Sequence, residues 1–428
     1  MATLRFLLID VFQDWWHTNR PVNHSMQKNI TLTIESLAYL GAGVARHEGC
    51  VHFIPGTAPG EHVVAEVTRR HKKFNEARVV EILEPSPDRI PRCCFLASGE
   101  PLPGAVYDHL RYEAEVRAKA GQLAGFLNRR NRGAPEVAVE AVASPKELNY
   151  RNKATMHVGV EGAAHRLGYW SNDRTRVLEV VACPLTCHEI NAALAEFRAR
   201  PEFQQLRDND TVAFRWTGHD GALCWVNDGP NVIGKPTARH LTEAGEMQVE
   251  RNGFYQVNPG TAALLADRAA QWYEEGRAAA PRVLDVYCGA GVFAVACGLR
   301  GAENTRGVEL DAGAVACARV NARRHGVQAL FDSLDVEAQA VKLFASGSCA
   351  ETTVIVDPPR RGLSPNVCKA LAASAAPRIL YISCDPATLG RDLQILNAAG
   401  YQTRRAAMFD MFPRTAHFES LAELEKKV

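Results

Sequence analysis

The sequence carries almost no excess of charge of either sign: 49 lysines and arginines stand against 48 aspartates and glutamates in 428 residues. A globally basic coat is therefore absent, and a nucleic-acid partner must be held by local patches. Long hydrophobic runs are also missing. No stretch approaches the ~20 consecutive apolar residues that a membrane span requires. The early run Phe6-Leu-Leu-Ile-Asp-Val-Phe12 is broken by Asp10, with only Arg5 ahead of it and no small-residue cleavage site behind, so it does not read as a secretory signal. The 12 cysteines are scattered along the chain without the dense framework of a disulfide-stapled domain, which points to a reduced, cytoplasmic protein. Internal repeats and low-complexity tracts are absent as well.

What is present suits several ordinary cores, with 46% hydrophobic and 23% charged residues. At roughly 150 residues per domain the length suggests about three domains. Residues 1–28 share no pattern with the rest and read as a leader; a chain started at Met26 is expected to fold and act normally. Residues 29–85 alternate like strands, with Leu32, Ile34, Val44, Val51, Phe53, Val63, Val67, Val79 and Ile82 separated by Gly41-Ala-Gly43, Pro55-Gly56 and Pro59-Gly60. Short strands with closely spaced turn signals predict a small β-barrel. Residues 86–250 read as a central α+β region. It has a helix over 107–131 carrying Leu110, Val116, Leu123 and Leu127, strands near 154–160, 177–181, 211–216 and 223–226, and a helix near 189–199. Residues 251–428 alternate helices with short apolar strands at 282–286, 305–309, 353–356 and 378–383, the pattern of a doubly wound α/β domain. The fold class is thus multidomain α/β, and the chain is expected to be monomeric.

Three motifs carry chemistry. Val283-Leu-Asp-Val-Tyr-Cys-Gly-Ala-Gly-Val-Phe-Ala294 leads a strand through a glycine turn into a helix, so backbone can approach a nucleotide-like ligand closely. Glu309 ends the next strand, where a carboxylate can accept bonds from ribose hydroxyls. Spacing alone leaves NAD and S-adenosylmethionine both open. Asp357-Pro-Pro-Arg-Arg-Gly362 follows a later strand, which puts Asp357 at the carboxyl edge where open α/β sheets bind ligands. The following strand delivers Tyr381-Ile-Ser-Cys-Asp-Pro386, with Cys384 beside the same edge. A lone cysteine is usually packing; one at the lip of a ligand site and followed by Pro386 reads as a nucleophile.

Over residues 26–428 the chain resembles the RNA uracil-C5 methyltransferases. The resemblance rests on Phe254-Tyr-Gln-Val-Asn258, the glycine turn, Gly307-Val-Glu309, Phe331-Asp-Ser-Leu-Asp335, the motifs at Asp357 and Cys384, and Met411-Phe-Pro-Arg-Thr-Ala-His-Phe-Glu419. Leu37-Ala-Tyr-Leu-Gly-Ala-Gly-Val-Ala-Arg46 and Phe53-Ile-Pro-Gly56 resemble the OB-like TRAM barrel that many such enzymes carry. The resemblance implies a Rossmann-like C-terminal domain using S-adenosylmethionine. It implies Cys384 as the nucleophile that adds to C6 of uracil, Glu419 as the base that removes the C5 proton, and Gln256, Tyr287, Glu309, Asp335 and Asp357 as cofactor contacts. The RNA is expected to be large-subunit ribosomal RNA in preference to transfer RNA.

The chain departs from the family at several points. Val292 follows Gly291 where an Asn or Thr is usual, and Asp385 stands where Asn is usual, which opposes ionisation of Cys384. Many relatives hold a [4Fe–4S] cluster on four cysteines. Here Cys93 and Cys183 resemble the outer two ligands, but the Cys-Gly-Gly-Cys step reads Leu102-Pro-Gly-Ala105, so no cluster is expected. A zinc site from Cys93, Cys94, Cys183 and Cys187 is a weaker reading, and no metal is expected. Basic patches occur at Arg69-Arg-His-Lys-Lys73, Arg129-Arg-Asn-Arg132 and Tyr150-Arg-Asn-Lys153; the first lies on the expected barrel, a fold type that tracks single strands. Two other classes compete: an NAD-dependent oxidoreductase, which leaves Cys384 and Glu419 without roles, and a catalytically weak RNA-binding module.

Overall fold

Alternating apolar and polar side chains carry residues 29–84 into a sheet with one buried face. The computed structural model describes residues 29–130, 136–162, 164–235, 238–242, 245–345 and 349–427; the expected leader, Met26 included, and residues 131–132 of the second basic patch lie outside them. Strands β1 (Asn29–Thr33), β2 (Ser36–Leu37), β3 (Gly43–His47), β4 (Cys50–Ile54), β5 (His62–Arg70) and β6 (Phe74–Glu84) form one sheet in the order β1-β5-β6-β4-β3-β2. Three register shifts along the β5–β6 pair bend these long strands. The bend folds the sheet over Leu32, Ile34, Ala45, Ile54, Val63, Ala65 and Ala77.

A second sheet is antiparallel. Strands β8 (Lys153–Glu161), β9 (Ala164–Trp170), β10 (Val177–Glu179), β11 (Thr211–Trp216), β12 (Ala222–Val226) and β13 (Asn231–Ile233) run in the order β10-β9-β8-β11-β12-β13. Helix α2 (His188–Arg198) covers it with Ile190, Ala193, Leu194 and Phe197, a single stripe at helical spacing.

The third sheet holds the C-terminal half. Strands β16 (Arg282–Val286), β17 (Glu303–Glu309), β18 (Ala329–Ser333), β19 (Thr352–Val356), β20 (Arg378–Ser383), β21 (Tyr401–Phe409) and β22 (Glu419–Lys426) join β7 (Val139–Val142) in the order β18-β17-β16-β19-β20-β22-β21-β7. The first five strands in that order are parallel, while β22 lies antiparallel between β20 and β21. Helices α3 (Pro259–Gly276) and α4 (Val292–Leu299) bury Leu265, Trp272 and Phe293 against Val283, Ile355, Leu380 and Ile382. Helices α1 (Tyr112–Arg130), α6 (Val336–Leu343), α7 (Pro365–Ala372) and α8 (Pro386–Ala398) cover the opposite face, against Leu284, Val286, Val354, Val356 and Tyr381. Both faces are covered, as a parallel sheet requires. Strand order reverses between β16 and β19, which places the ligand crevice at their carboxyl ends.

The region expected as one central unit is divided in space. Helix α1 buries Val116, Leu123 and Leu127 in the core beneath the C-terminal sheet, and β7 pairs in parallel with β21. The physical reason is apolar area: α2 already covers the central sheet, so the stripe on α1 finds its partners at the C-terminal sheet. Leu110, expected on the same helical face, precedes the helix and packs with Ala58 and Tyr107 at the first sheet instead. The hairpin of β14 (Ala238–Thr242) and β15 (Gly245–Val249) also leaves the central sheet. It docks on α5 (Ala312–Arg324), where the Asn321 amide brackets the backbone of Gln248 at 2.7 and 2.9 Å. No described helix is long and apolar enough to cross a membrane.

Candidate active site

β16 ends at Val286 and the chain turns sharply, with positive φ at Tyr287 (+64°), Gly289 (+51°) and Gly291 (+80°). At Gly291 a side chain would be both strained by the positive φ and crowded, its Cβ 3.1 Å from Ala318 Cβ and from the Phe331 ring. The turn meets Glu309, whose carboxylate accepts from the Gly289 N–H at 3.2 Å and the Asp311 N–H at 3.0 Å. Asp285 is wholly buried beneath the turn, and its Oδ2 accepts from the Ala294 N–H at 3.0 Å while Oδ1 has no partner among the described residues. Burial first, then Asp357 and Glu309, push the Asp285 carboxyl up to about 7. A buried acceptor left open under a glycine turn suits a polar ligand seated on that turn. Val292 begins α4 without a side-chain cap and packs toward Trp225 and Ala290, so apolar contact replaces the hydrogen bond a polar residue would offer.

Asp357 follows β19 directly and is tied to β16 by its N–H to the Val286 carbonyl at 3.3 Å. Burial, with Glu309 second, pushes its carboxyl up to about 7. Cys384 follows β20, where the Ser383 hydroxyl donates to the Asp385 carbonyl at 3.0 Å. Asp385 caps α8, accepting from the Ala387 and Thr388 N–H groups at 2.9 Å each. Glu419 starts β22, and because β22 runs antiparallel to β20 its first residue lies at the edge where β20 ends.

Glu419 and Asp357 are both close enough to shift the ionisation of Cys384, and Asp357 that of Glu419. Burial, then Asp357, raises the Glu419 carboxyl well above the usual carboxylate range, and no described residue hydrogen-bonds it. Burial pushes the Cys384 thiol up to about 12, reinforced by Glu419 and Asp357. Arg360 opposes both shifts. This exposed guanidinium is the site's positive charge, and sequence reasoning passed over it although it stands in the same Asp-Pro-Pro-Arg run as Asp357.

The structure therefore gathers Tyr287, Glu309, Asp357, Cys384 and Glu419 at one sheet edge. Asp335 lies at the margin: exposed, it caps α6 through Oδ1 at 2.9 and 3.2 Å and sits near enough to affect Tyr287. Gln256 is half-buried on the segment leading into α3, anchored beside it by the Asn152 N–H to the Val257 carbonyl at 2.8 Å. No contact among the described residues joins its side chain to the others.

The four-thiolate cluster of many relatives does not suit the residues present. Leu102 and Ala105, standing where two ligands would project, are 4% and 5% exposed in the same apolar cluster as Cys94 and Cys183. Among the described residues no group of three or more His, Cys, Asp or Glu is placed to hold a metal ion.

Residues 246–427 match the family model described as tRNA (Uracil-5-)-methyltransferase, and residues 28–80 match the TRAM domain. A 23S rRNA (uracil(1939)-C(5))-methyltransferase of Halomonas elongata is 31% identical, covering 92% of this chain and 89% of that protein. The protein of the same description from Chromohalobacter salexigens is 32% identical, with 92% and 89% covered. Among solved structures, the Pyrococcus abyssi tRNA (uracil-54, C5)-methyltransferase in complex with S-adenosyl-L-homocysteine superposes with a TM-score of 0.71 at 22% identity. It covers 92% of this chain and all of that one, a likeness of fold.

Proposed function

The chain belongs to the RNA uracil-C5 methyltransferase family, and from that premise we propose that it methylates C5 of a uridine in large-subunit ribosomal RNA through a covalent adduct between Cys384 and C6. The observation that carries this reading is the meeting of Cys384, Glu419 and Asp357 at the carboxyl edge, one group from each of three neighbouring strands or strand ends. C5 of uracil is a weak nucleophile. Addition of the Cys384 sulfur to C6 makes C5 enolate-like, and the C5 proton must then be removed before the thiolate can leave. Burial keeps Glu419 protonated in the free protein, so its own proton must first pass to solvent. The carboxylate then left in a dry site is a stronger base than one in water, which suits it to that removal.

Tyr287, Glu309, Asp335, Asp357 and Gln256 are assigned to S-adenosylmethionine, with the open Oδ1 of Asp285 a further acceptor at that place. When bound, S-adenosylmethionine supplies the electrophilic methyl group that C5 attacks. Burial holds the Cys384 thiol in its protonated form, so its proton must pass to solvent before the sulfur adds to C6, and Arg360 is the cation that favours the thiolate. The target base must leave its stack to reach this edge. Ribosomal RNA is favoured over transfer RNA by the curated relatives of that description. All twelve cysteines are free, which suits a cytoplasmic enzyme.

The test is methyl transfer from labelled S-adenosylmethionine to unmodified transcripts of large-subunit ribosomal RNA and of transfer RNA. Label in the ribosomal transcript, abolished by Cys384→Ala, is the expected result. Label only in transfer RNA would overturn the substrate, and undiminished activity of Cys384→Ala would overturn the mechanism.

A further inference from the structure

The turn between β2 and β3 reaches out of the first sheet toward the C-terminal body. It closes through the Gly41 N–H to the Ala38 carbonyl at 3.0 Å and the Ala38 N–H to the Ala42 carbonyl at 2.8 Å. Its tip adopts positive φ at Leu40 (+74°) and Gly41 (+93°). For Leu40 that conformation is costly, and it persists only where surroundings enforce it. Those surroundings are helix α1 of the catalytic body and the segment that leads into it. The buried Gln122 amide of α1 donates to the Ala38 carbonyl and to the Tyr107 hydroxyl, each at 2.9 Å. Gly41 lies so close to Val106 that a Cβ would meet its methyl at 2.8 Å.

The residue this clamped turn presents is Tyr39. Its ring meets Phe126 edge-on at 5.6 Å, one turn beyond Gln122 on α1. It also meets Phe418, the residue before Glu419, edge-on at 6.2 Å. The charged and nucleophilic groups that face the phenol are Asp385, Cys384 and Arg360. Tyr39 is nevertheless only half-buried, and its hydroxyl has no hydrogen-bond partner among the described residues. The other deeply seated phenols of this region are satisfied: Tyr107 accepts from Gln122, and Tyr150 donates to the Pro413 carbonyl at 3.0 Å. Burial first, then Asp385, keeps the Tyr39 phenol protonated, so it is available as a donor.

We propose that Tyr39 contacts the target nucleotide, donating its hydroxyl to an oxygen of the extruded uridine or its phosphate, so that the N-terminal barrel completes the wall of the base pocket. The inference rests on Cys384 as the nucleophile, since that is what places the reacting base beside Tyr39. A strained turn, held by the catalytic body and bearing an open donor beside the nucleophile, has a purpose if that donor meets RNA. A phenylalanine would serve equally for packing on Phe126 and Phe418.

The decisive variant is therefore Tyr39→Phe in the full chain, which keeps the ring and removes the donor. The turnover of unmodified large-subunit ribosomal RNA transcript should fall about three- to tenfold, the usual worth of one neutral hydrogen bond. The thermal midpoint and the affinity for S-adenosylmethionine should be unchanged. A transcript carrying 5-fluorouridine holds the adduct, because fluorine cannot be removed as a proton, and the adduct should form more slowly by the same factor. Tyr39→Ala, which also opens the wall, should lose more than Tyr39→Phe. Wild-type rates of methylation and adduct formation in Tyr39→Phe would overturn the proposal. Cys384→Ala, run beside it, separates the two readings: if that variant still methylates, the nucleophile assignment has failed, and if it is dead while Tyr39→Phe is normal, only the Tyr39 contact has.

Discussion

The Ser420 hydroxyl donates to the Ser383 carbonyl at 2.8 Å across the antiparallel pair of β20 and β22. One step beyond each serine stand Cys384 and Glu419, so the β20–β22 ladder, with this side-chain bond at its end, fixes the offset between the proposed nucleophile and base. Neither residue can shift along its strand without breaking that register.

The first prediction separates their roles. Glu419→Gln keeps shape and burial but cannot take the C5 proton. Turnover should fall by ~10²–10⁴-fold, the range a positioned base contributes. Attack and methyl transfer should still occur, so a methylated protein–RNA adduct should accumulate as a band that survives denaturation and carries the cofactor's methyl label. Absence of that band, with both substrates bound normally, would remove Glu419 from the base role.

The second concerns pH. Asp285 and Asp357 are both pushed from 3.8 up to about 7, chiefly by burial. A carboxyl whose folded pKa lies above its unfolded one binds its proton more tightly in the native state, so stability falls as pH rises from about 4 to about 7. In the cofactor-free protein, Asp285→Asn should flatten the dependence of the thermal midpoint on pH over that window and stabilise the chain at pH 8 relative to pH 5. An unaltered slope would mean that Asp285 titrates normally.

How far the sequence made this visible depends on what kind of contact was at stake. Glu309, Asp357 and Cys384 were legible because each ends or follows a short apolar strand, and a strand's carboxyl end is a place that periodicity can find. Glu419 was legible only through its motif, since nothing in its run of residues marks β22 as the antiparallel strand between β20 and β21. β7 and α1 were assigned to the central region because four alternating residues and an apolar stripe do not say which sheet they will meet. The reach of Tyr39 across to Phe418 was invisible for the same reason: it depends on how two bodies dock, which local pattern does not encode. Nor could charge pattern show that Arg360 would be the cation acting on Cys384.

The third prediction addresses iron. With Leu102 and Ala105 packed into the core beside Cys94 and Cys183, two thiolates are lacking where a cubane would need them. Protein purified without oxygen should hold no stoichiometric iron and show no broad absorbance near ~400 nm, where thiolate-ligated clusters absorb. About four irons per chain would contradict this.

The last prediction concerns what seats the segment that leads to Glu419. The Lys119 ammonium, 0% exposed, donates to Glu115 Oε1 and Asp410 Oδ1 at 2.7 Å each and to the Phe412 carbonyl at 3.2 Å. Arg414 closes the group from the same segment, its N–H donating to Glu115 Oε1 at 2.7 Å. From sequence, Glu115 and Lys119 are an ordinary i,i+4 pair of the kind worth only a few tenths of a kcal/mol at a surface. In place they join α1 to the loop before β22, the side chains of Glu115, Lys119 and Asp410 all fully buried. Lys119→Met keeps the apolar stem and about the same volume but leaves two buried carboxylates facing each other. Removing one partner of a buried pair costs ~3–5 kcal/mol, which at roughly 2–4 °C per kcal/mol for a body of this size lowers the thermal midpoint by about 10 °C. The sign with pH follows from the carboxyls: they can escape by taking protons, so the loss should be smaller at pH 5 than at pH 8. Glu115 is already pushed up to about 7 by burial with its lysine present, so the relief should be well advanced at pH 5. Equal losses at the two pH values would show that Lys119 acts by filling space, and that charge does not hold this segment in place.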